Sequence, residues 1–197
     1  MLTVEIVTFS ILAPAFLTRA NFLNVLTAIA VTGIVAMPGT FLIIAGQFDL
    51  SVASIIALSG VAMATAAEGH SMPLAIVVAF AVGSLAGAVN GFLVTVVGVN
   101  ALITTLGMLS VLSGLARVIA DGLSVSVQDF STLGTSRPLG IPLPVIIFLA
   151  VVGLFSFVGR FTTFGRSVYA IGSNPAAARL AGIRTRRVIC LLFLLSG

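Results

Sequence analysis

Residues 74–116, LAIVVAFAVGSLAGAVNGFLVTVVGVNALITTLGMLSVLSGLA, contain no acidic, basic or histidine side chain. A helix needs about 20 apolar residues to cross a bilayer, so this stretch is too long for one helix and long enough for two. Gly98-Val99-Asn100 supplies the division. Gly suits the position after a helix, and Asn caps the next helix by accepting its free N–H groups. The reading is one span over 74–97 and a second over 101–120.

Working towards the N-terminus, residues 68–73 form a loop that holds Glu68 and His70, and 52–67 is a further apolar segment. Gly46-Gln47-Phe48-Asp49-Leu50-Ser51 breaks the pattern before it. Residues 25–45 form a full span whose Pro38-Gly39 pair should kink or thin it. Residues 6–18 are a short first segment, with Glu5 near the interface. Towards the C-terminus, 121–138 is a polar loop, 143–158 a sixth apolar segment, and 159–187 the one substantial polar stretch. Residues 188–197 begin a seventh segment. The expected fold is all-α: a polytopic membrane protein with about six transmembrane segments plus the start of a seventh. Residues 1–197 read as a single transmembrane domain, incomplete at its C-terminal end.

Composition carries the same message. Of 197 residues, 59% are hydrophobic and 7% charged, against about a quarter charged in a soluble domain. That polarity cannot cover a globule in water. The long unbroken apolar runs also argue against a membrane β-barrel, whose strands alternate. All nine basic residues are Arg. Without Lys there is no G-x-x-x-x-G-K-[ST] phosphate loop and no Schiff-base lysine. Cys190 alone forms no internal disulfide, and with one His it makes no ordinary zinc site. G-x-S-x-G is absent. No apolar run pairs two acids, or an acid and a His, at helical spacing, which argues against an intramembrane enzyme. The start of the chain lacks the basic region of a secretory signal.

The arginines set orientation. Six of the nine lie between Arg160 and Arg187, and no acidic residue lies among them. Cytoplasmic loops collect Arg, so 159–187 is expected in the cytoplasm and 121–138 outside. This clustering, with a net charge of +4, is a membrane signature and gives no ground for nucleic-acid binding.

Three features stand out within the spans and this loop. Gly83, Gly87 and Gly91 share one helix face at the spacing that lets membrane helices approach closely. Asn90 beside them either lines a polar pathway, makes an interhelical hydrogen bond, or marks a helix end. Asp49 and Ser51 precede an apolar run, where they serve as helix N-cap or as polar contacts on a solute path or gate. In the basic loop, Asn174 suits an N-cap, Pro175 the first helical position and Gly182 the position past the last turn. The intervening Ala176-Ala177-Ala178-Arg179-Leu180-Ala181 gives a slim helix of about two turns, marginal alone. It either packs on its own membrane ends or docks in a groove of a cytoplasmic partner.

The stretch from Phe164 to Ile183, FGRSVYAIGSNPAAARLAGI, resembles the cytoplasmic loop of permease subunits from bacterial monosaccharide ABC importers (ribose, arabinose, xylose, galactose). Residues 46–54, GQFDLSVAS, are similar to that family's G-G-[IF]-D-L-S-V-[GA]-S block, although Gln47 replaces the second Gly. Asn90-Gly91 with Asn100-Ala101-Leu102-Ile103-Thr104-Thr105-Leu106-Gly107 resembles a third block, and Ser113-Gly114-Leu115-Ala116 a fourth. The blocks run in order from about residue 21 to 197. Phe48 and the Ala-Leu-Ile-Thr-Thr-Leu variant are most similar to arabinose-type members.

The resemblance implies a permease subunit of the bacterial inner membrane. It pairs with a second permease copy, identical or related, to form the solute pathway. A periplasmic sugar-binding protein delivers solute, and a separate cytoplasmic ABC ATPase uses ATP and Mg. This chain then binds no cofactor. Residues Asn174 to Gly182 match the coupling helix that seats in the ATPase. Asp49, Ser51, Asn90, Asn100, Thr104 and Thr105 become pathway or gate positions. Family members are roughly half as long again, with about ten helices. The alternatives are a permease of the same superfamily for a nucleoside or branched-chain amino acid, and a truncated remnant that inserts without transporting.

Overall fold

The computed structural model describes residues 1–125 and 136–197. The loop expected over 121–138 therefore lies partly outside the described residues. Nine helices occur among them: α1 Leu2–Leu12, α2 Arg19–Ile44, α3 Val52–Gly69, α4 Met72–Phe92, α5 Ala101–Ile119, α6 Leu143–Phe161, α7 Thr163–Ser173, α8 Pro175–Leu180 and α9 Thr185–Ser196. A π-helical turn, Leu93–Val97, extends α4. No strand occurs among the described residues. Five helices are long and apolar enough to cross a membrane: α2, α3, α4 with its π turn, α5 and α6.

The apolar segment expected over 6–18 is the shorter α1. At about 1.5 Å per residue its 11 residues reach roughly half of the ~30 Å hydrocarbon core. Pro14 explains the stop, because it drives the preceding Ala13 to extended backbone (φ −122°, ψ 100°). Thr18 then accepts the Asn21 N–H at 3.3 Å and starts α2. Pro38 does not end α2, which runs on to Ile44. The expected division at 98–100 is present: Gly98 is left-handed at φ +87°, and Asn100 accepts the Leu102 N–H at 2.9 Å.

The polar stretch 159–187 holds more structure than its composition suggests. Helix α7 occupies Thr163–Ser173, capped by Thr162, which accepts the Gly165 N–H at 3.1 Å. It forms because Phe164, Val168 and Ile171 fall on one face at helical spacing. Val168 and Ile171 are buried, and Phe164 packs against the same core. Helix α9 likewise begins at Thr185, ahead of the apolar run at 188.

Two cores hold the bundle. Helix α3 packs against α4 and α5, centred on Ile55, Leu58, Ala86, Leu112 and Ala116. The other core gathers Phe41, Leu42 and Ala45 at the end of α2, Ala101 at the start of α5, Val168 and Ile171 of α7, Ala178 of α8, and Leu192 and Phe193 of α9. Helix α6 lies on α2, and Phe41 meets Phe155 edge-on at 5.2 Å between ring centroids. The end of α2, the start of α5 and the arginine-rich segment thus share one end of the bundle. Large apolar side chains such as Phe80 and Val118 point outwards along the spans, as lipid contact requires.

Candidate functional site

At the arginine-rich end, α2 stops in a paired turn. Gly46 N–H bonds the Ile43 carbonyl and Gln47 N–H the Leu42 carbonyl, both at 2.9 Å. Gly46 takes φ +73°, which only Gly adopts without strain. The turn delivers Asp49 and Ser51 to the start of α3. Neither side chain caps α3. Instead, one Asp49 carboxylate oxygen (Oδ1) accepts both the Ser51 N–H at 2.9 Å and the Ser51 hydroxyl at 2.6 Å. The Ser51 oxygen in turn accepts the Asn90 amide N–H at 2.8 Å. The second Asp49 oxygen (Oδ2) accepts the Ser196 hydroxyl of α9 at 3.2 Å.

Ser51 thus holds the expected N-cap position of α3, but the side chains of Asp49 and Ser51, in place of capping it, form a chain that ties the α3 entry to α4 and α9. The expected helix end at Asn90 is also absent, because α4 continues through Phe92 and the π turn. Asn90 and Ser51 are fully buried. Burial in an apolar bundle demands such partners, since an unpaired polar group there costs on the order of 1–3 kcal/mol. The Asn90 carbonyl oxygen has no partner among the described residues. It is a fully buried acceptor without a donor among them.

This chain of bonds gives a direct test. Asp49→Asn keeps the shape and removes the charge that strengthens three hydrogen bonds. The purified variant should lose about 1.5–3 kcal/mol of stability, read as a lower thermal unfolding midpoint in detergent. An unchanged midpoint would mean that these contacts do not hold the bundle.

The Gly83–Gly87–Gly91 face lies under α9. A Cβ on Gly91 would stand 3.0 Å from the Cys190 carbonyl oxygen. One on Gly87 would meet the Phe193 carbonyl and stand 3.1 Å from the Gly197 nitrogen. One on Gly83 would meet the Gly197 carbonyl. The two helices run antiparallel with backbones in close contact, which small residues alone permit. That approach also brings Ser196 to Asp49, 147 residues earlier.

The other residues expected to line a pathway, Asn100, Thr104 and Thr105, stand apart from this chain of bonds. Asn100 spends its oxygen as the α5 cap. Thr105, fully buried, bonds back to the Ala101 carbonyl at 2.9 Å. Thr104 is buried, and its hydroxyl has no partner among the described residues. No sequence signal pointed to Ser196, since its partner is set by tertiary packing alone.

Helix α8 forms over Pro175–Leu180, capped by Asn174 as expected and one residue shorter than the helix over 175–181 read from sequence. The Asn174 side chain accepts the N–H groups of Ala176 and Ala177 at 3.0 Å each. Gly182 and Ile183 close its end on the Arg179 and Ala178 carbonyls, both at 3.0 Å. Ala178 turns inward at 4% exposure, whereas Ala176, Ala177, Arg179, Ala181 and Gly182 are exposed. Leu180 stands out at 92% exposure, an unusual position for a large apolar side chain on a basic segment.

Comparison with known proteins follows the same stretch. The sequence pattern of the family described as branched-chain amino acid transport system / permease component matches residues 21–197. The L-arabinose transport system permease protein of Escherichia coli is 39% identical over 191 residues, covering 95% of this chain and 58% of that protein. The L-arabinose ABC transporter permease protein of Azospirillum brasilense is 37% identical over 193 residues, 96% of this chain and 57% of its own. The ribose import permease protein of Bacillus subtilis is 37% identical over 201 residues, 100% of this chain and 62% of its own. The chain thus spans less than two thirds of the length of these relatives. No solved structure matches it.

Proposed function

We infer, from the premise that this chain belongs to the family of branched-chain amino acid transport system permease components, that it is the membrane-spanning permease unit of an ATP-driven importer for a small sugar. The observation that carries the reading is the match of almost the whole chain to permeases named for L-arabinose and ribose. Five apolar helices of span length make it a multi-pass membrane protein, and the bacterial inner membrane is the proposed location. Two copies, or this chain and a related one, enclose the pathway. A periplasmic sugar-binding protein supplies solute, and a cytoplasmic ABC ATPase supplies energy.

The geometry suits the parts of such a machine. Helix α8 is capped at both ends and projects Leu180 and Ala177 from the arginine-rich end, which the charge bias assigns to the cytoplasm. An exposed apolar side chain on a rigid short helix is suited to seat in a partner's groove. Helix α9 follows directly and reaches Asp49 through Ser196. A shift of α8 would therefore be felt at the Asp49–Ser51–Asn90 chain, which we assign as a gate. Its carboxylate, hydroxyl and amide groups are the kinds that hydrogen-bond sugar hydroxyls.

A second reading has one specific support. The family's own description names branched-chain amino acids. Deleting the gene from its host and measuring uptake of labelled L-arabinose, ribose and leucine separates the two. Loss of pentose uptake with leucine uptake intact is the expected result. Loss of leucine uptake alone would transfer the assignment to the second reading. Unchanged uptake of all three would overturn both and leave an inserted remnant.

A further inference from the structure

Helices α2 and α6 lie side by side, and both finish at the arginine-rich end. They approach closely at Gly33, where a Cβ would overlap the Phe148 ring. Nearer their ends a groove of about 470 Å³ opens between them and α7. Met37, Phe41 and Ile44 of α2 and Phe155 of α6 give it apolar walls. Gly159 leaves it room, since a Cβ there would stand 3.1 Å from the Phe41 ring.

The polarity of this groove changes along its length. Met37 precedes Ile44, the last residue of α2, by about two turns, or ~10 Å. That end lies at the depth of hydrocarbon. At the other end stand Arg160, in the last turn of α6, and Tyr169 of α7. The Arg160 guanidinium is 5.6 Å from the centroid of the Phe161 ring, a cation–π contact that holds it at the rim. The Tyr169 hydroxyl is 3.8 Å from where a Cβ of Gly159 would stand. No acidic side chain lines the groove, and no Asp or Glu follows Asp129 in the sequence. The rim thus offers a cation and a hydroxyl, and the walls offer hydrocarbon contact.

We propose that this groove seats one anionic phospholipid, with an acyl chain along α2 and α6 and the phosphate at Arg160. Basic pockets between membrane helices attract anionic headgroups, and a guanidinium pairs well with phosphate oxygens. The Tyr169 hydroxyl supplies a further donor at headgroup level. A zwitterionic headgroup would bring its own cation towards Arg160, so a net negative one is preferred. The site rests on the membrane-spanning helices and is independent of the solute carried.

The chain holds one Tyr and no Trp, so its tyrosine fluorescence reports on Tyr169 alone. The purified full chain is placed in phosphatidylcholine nanodiscs with rising fractions of phosphatidylglycerol or phosphatidylcholine brominated near the headgroup end of the acyl chains. Bromine quenches the emission on contact. Phosphatidylglycerol should reach half-quenching at a roughly fivefold lower fraction than phosphatidylcholine, the effect of one charge near the membrane surface. Arg160→Gln should abolish that preference and Arg160→Lys should keep it. Arg187→Gln, exposed and outside the groove, should also keep it and controls for net charge. Ser156→Phe, which puts a ring at a lining position, should abolish the preference without lowering the thermal unfolding midpoint. Equal quenching by the two lipids, or a preference indifferent to both Arg160→Gln and Ser156→Phe, would overturn the site. Quenching by neither lipid would mean that protein, such as a second copy of the chain, covers the groove, and would overturn it as well. No transport step is measured, so failure here leaves the permease reading intact.

Discussion

Ala178→Glu should sharply lower the amount of folded chain recovered from membranes, while Ala177→Glu should leave that amount unchanged. The two alanines are neighbours on α8 and look alike in sequence. Ala178 is 4% exposed and packs in the core formed with Val168, Ile171, Leu192 and Phe193. A glutamate there overfills a packed site and brings a carboxylate among apolar side chains. A buried charge without a partner costs about 3–5 kcal/mol, a large part of the 5–15 kcal/mol that holds a typical domain. Ala177 faces outwards, so its glutamate stays solvated. On the proposed docking role, Ala177→Glu should reduce co-purification of the partner ATPase by about tenfold or more, since ~1.4 kcal/mol is tenfold in an equilibrium constant. Membrane abundance and pull-down, measured together, separate folding from docking. Full abundance of Ala178→Glu would show that α8 does not pack as described. Full ATPase recovery by Ala177→Glu would remove the docking role from this face.

Gly87→Val should be the most damaging single change within the spans. The added carbons meet backbone of α9, the Phe193 carbonyl and the Gly197 nitrogen and Cα, the last two at 3.1 Å from the first added atom. Backbone cannot rotate aside as a side chain can, so α9 has to move off α4. Overpacking ordinarily costs about 1–3 kcal/mol, and rigid neighbours place this site at or above the upper end. The shift would also pull Ser196 from Asp49. Gly107→Ala is the matched control. Its Cβ meets nothing within 4 Å, and Ala in a helix interior is favoured over Gly by up to about 1 kcal/mol. Thermal unfolding in detergent should show a large fall for Gly87→Val and no fall for Gly107→Ala. Equal midpoints for the two would mean that the α4–α9 contact contributes little.

The spans were legible because charge-free runs of this length have few other solutions. The break at Gly98-Val99-Asn100 and the caps at Asn174 and Gly182 were legible because their chemistry is local. Helix α7 was hidden by its company. Arg166, Ser167, Gly165 and Gly172 give the stretch a polar look, and the spacing of Phe164, Val168 and Ile171 was the signal to follow. The inward turn of Ala178 could not be read, since six residues of helix carry too little periodicity to mark a face. Asp49 and Ser51 have the composition of a cap, and only tertiary packing shows that they bond to each other, to Asn90 and to Ser196. Long-range partners of this kind leave no trace in spacing.

The π-helical turn at Leu93–Val97 fits one residue more into its turn than the helix before it. Residues beyond it are rotated by about 100° from where an unbroken helix would carry them. The angular relation between Asn90 on one side and Asn100 on the other is thus set by the count of residues between them more than by their kind. Evolution can exchange Val94, Val96 and Val97 for other apolar residues at little cost. A one-residue insertion or deletion in this short interval would re-aim everything after it, so lineages that diverge freely in sequence here should still hold its length fixed.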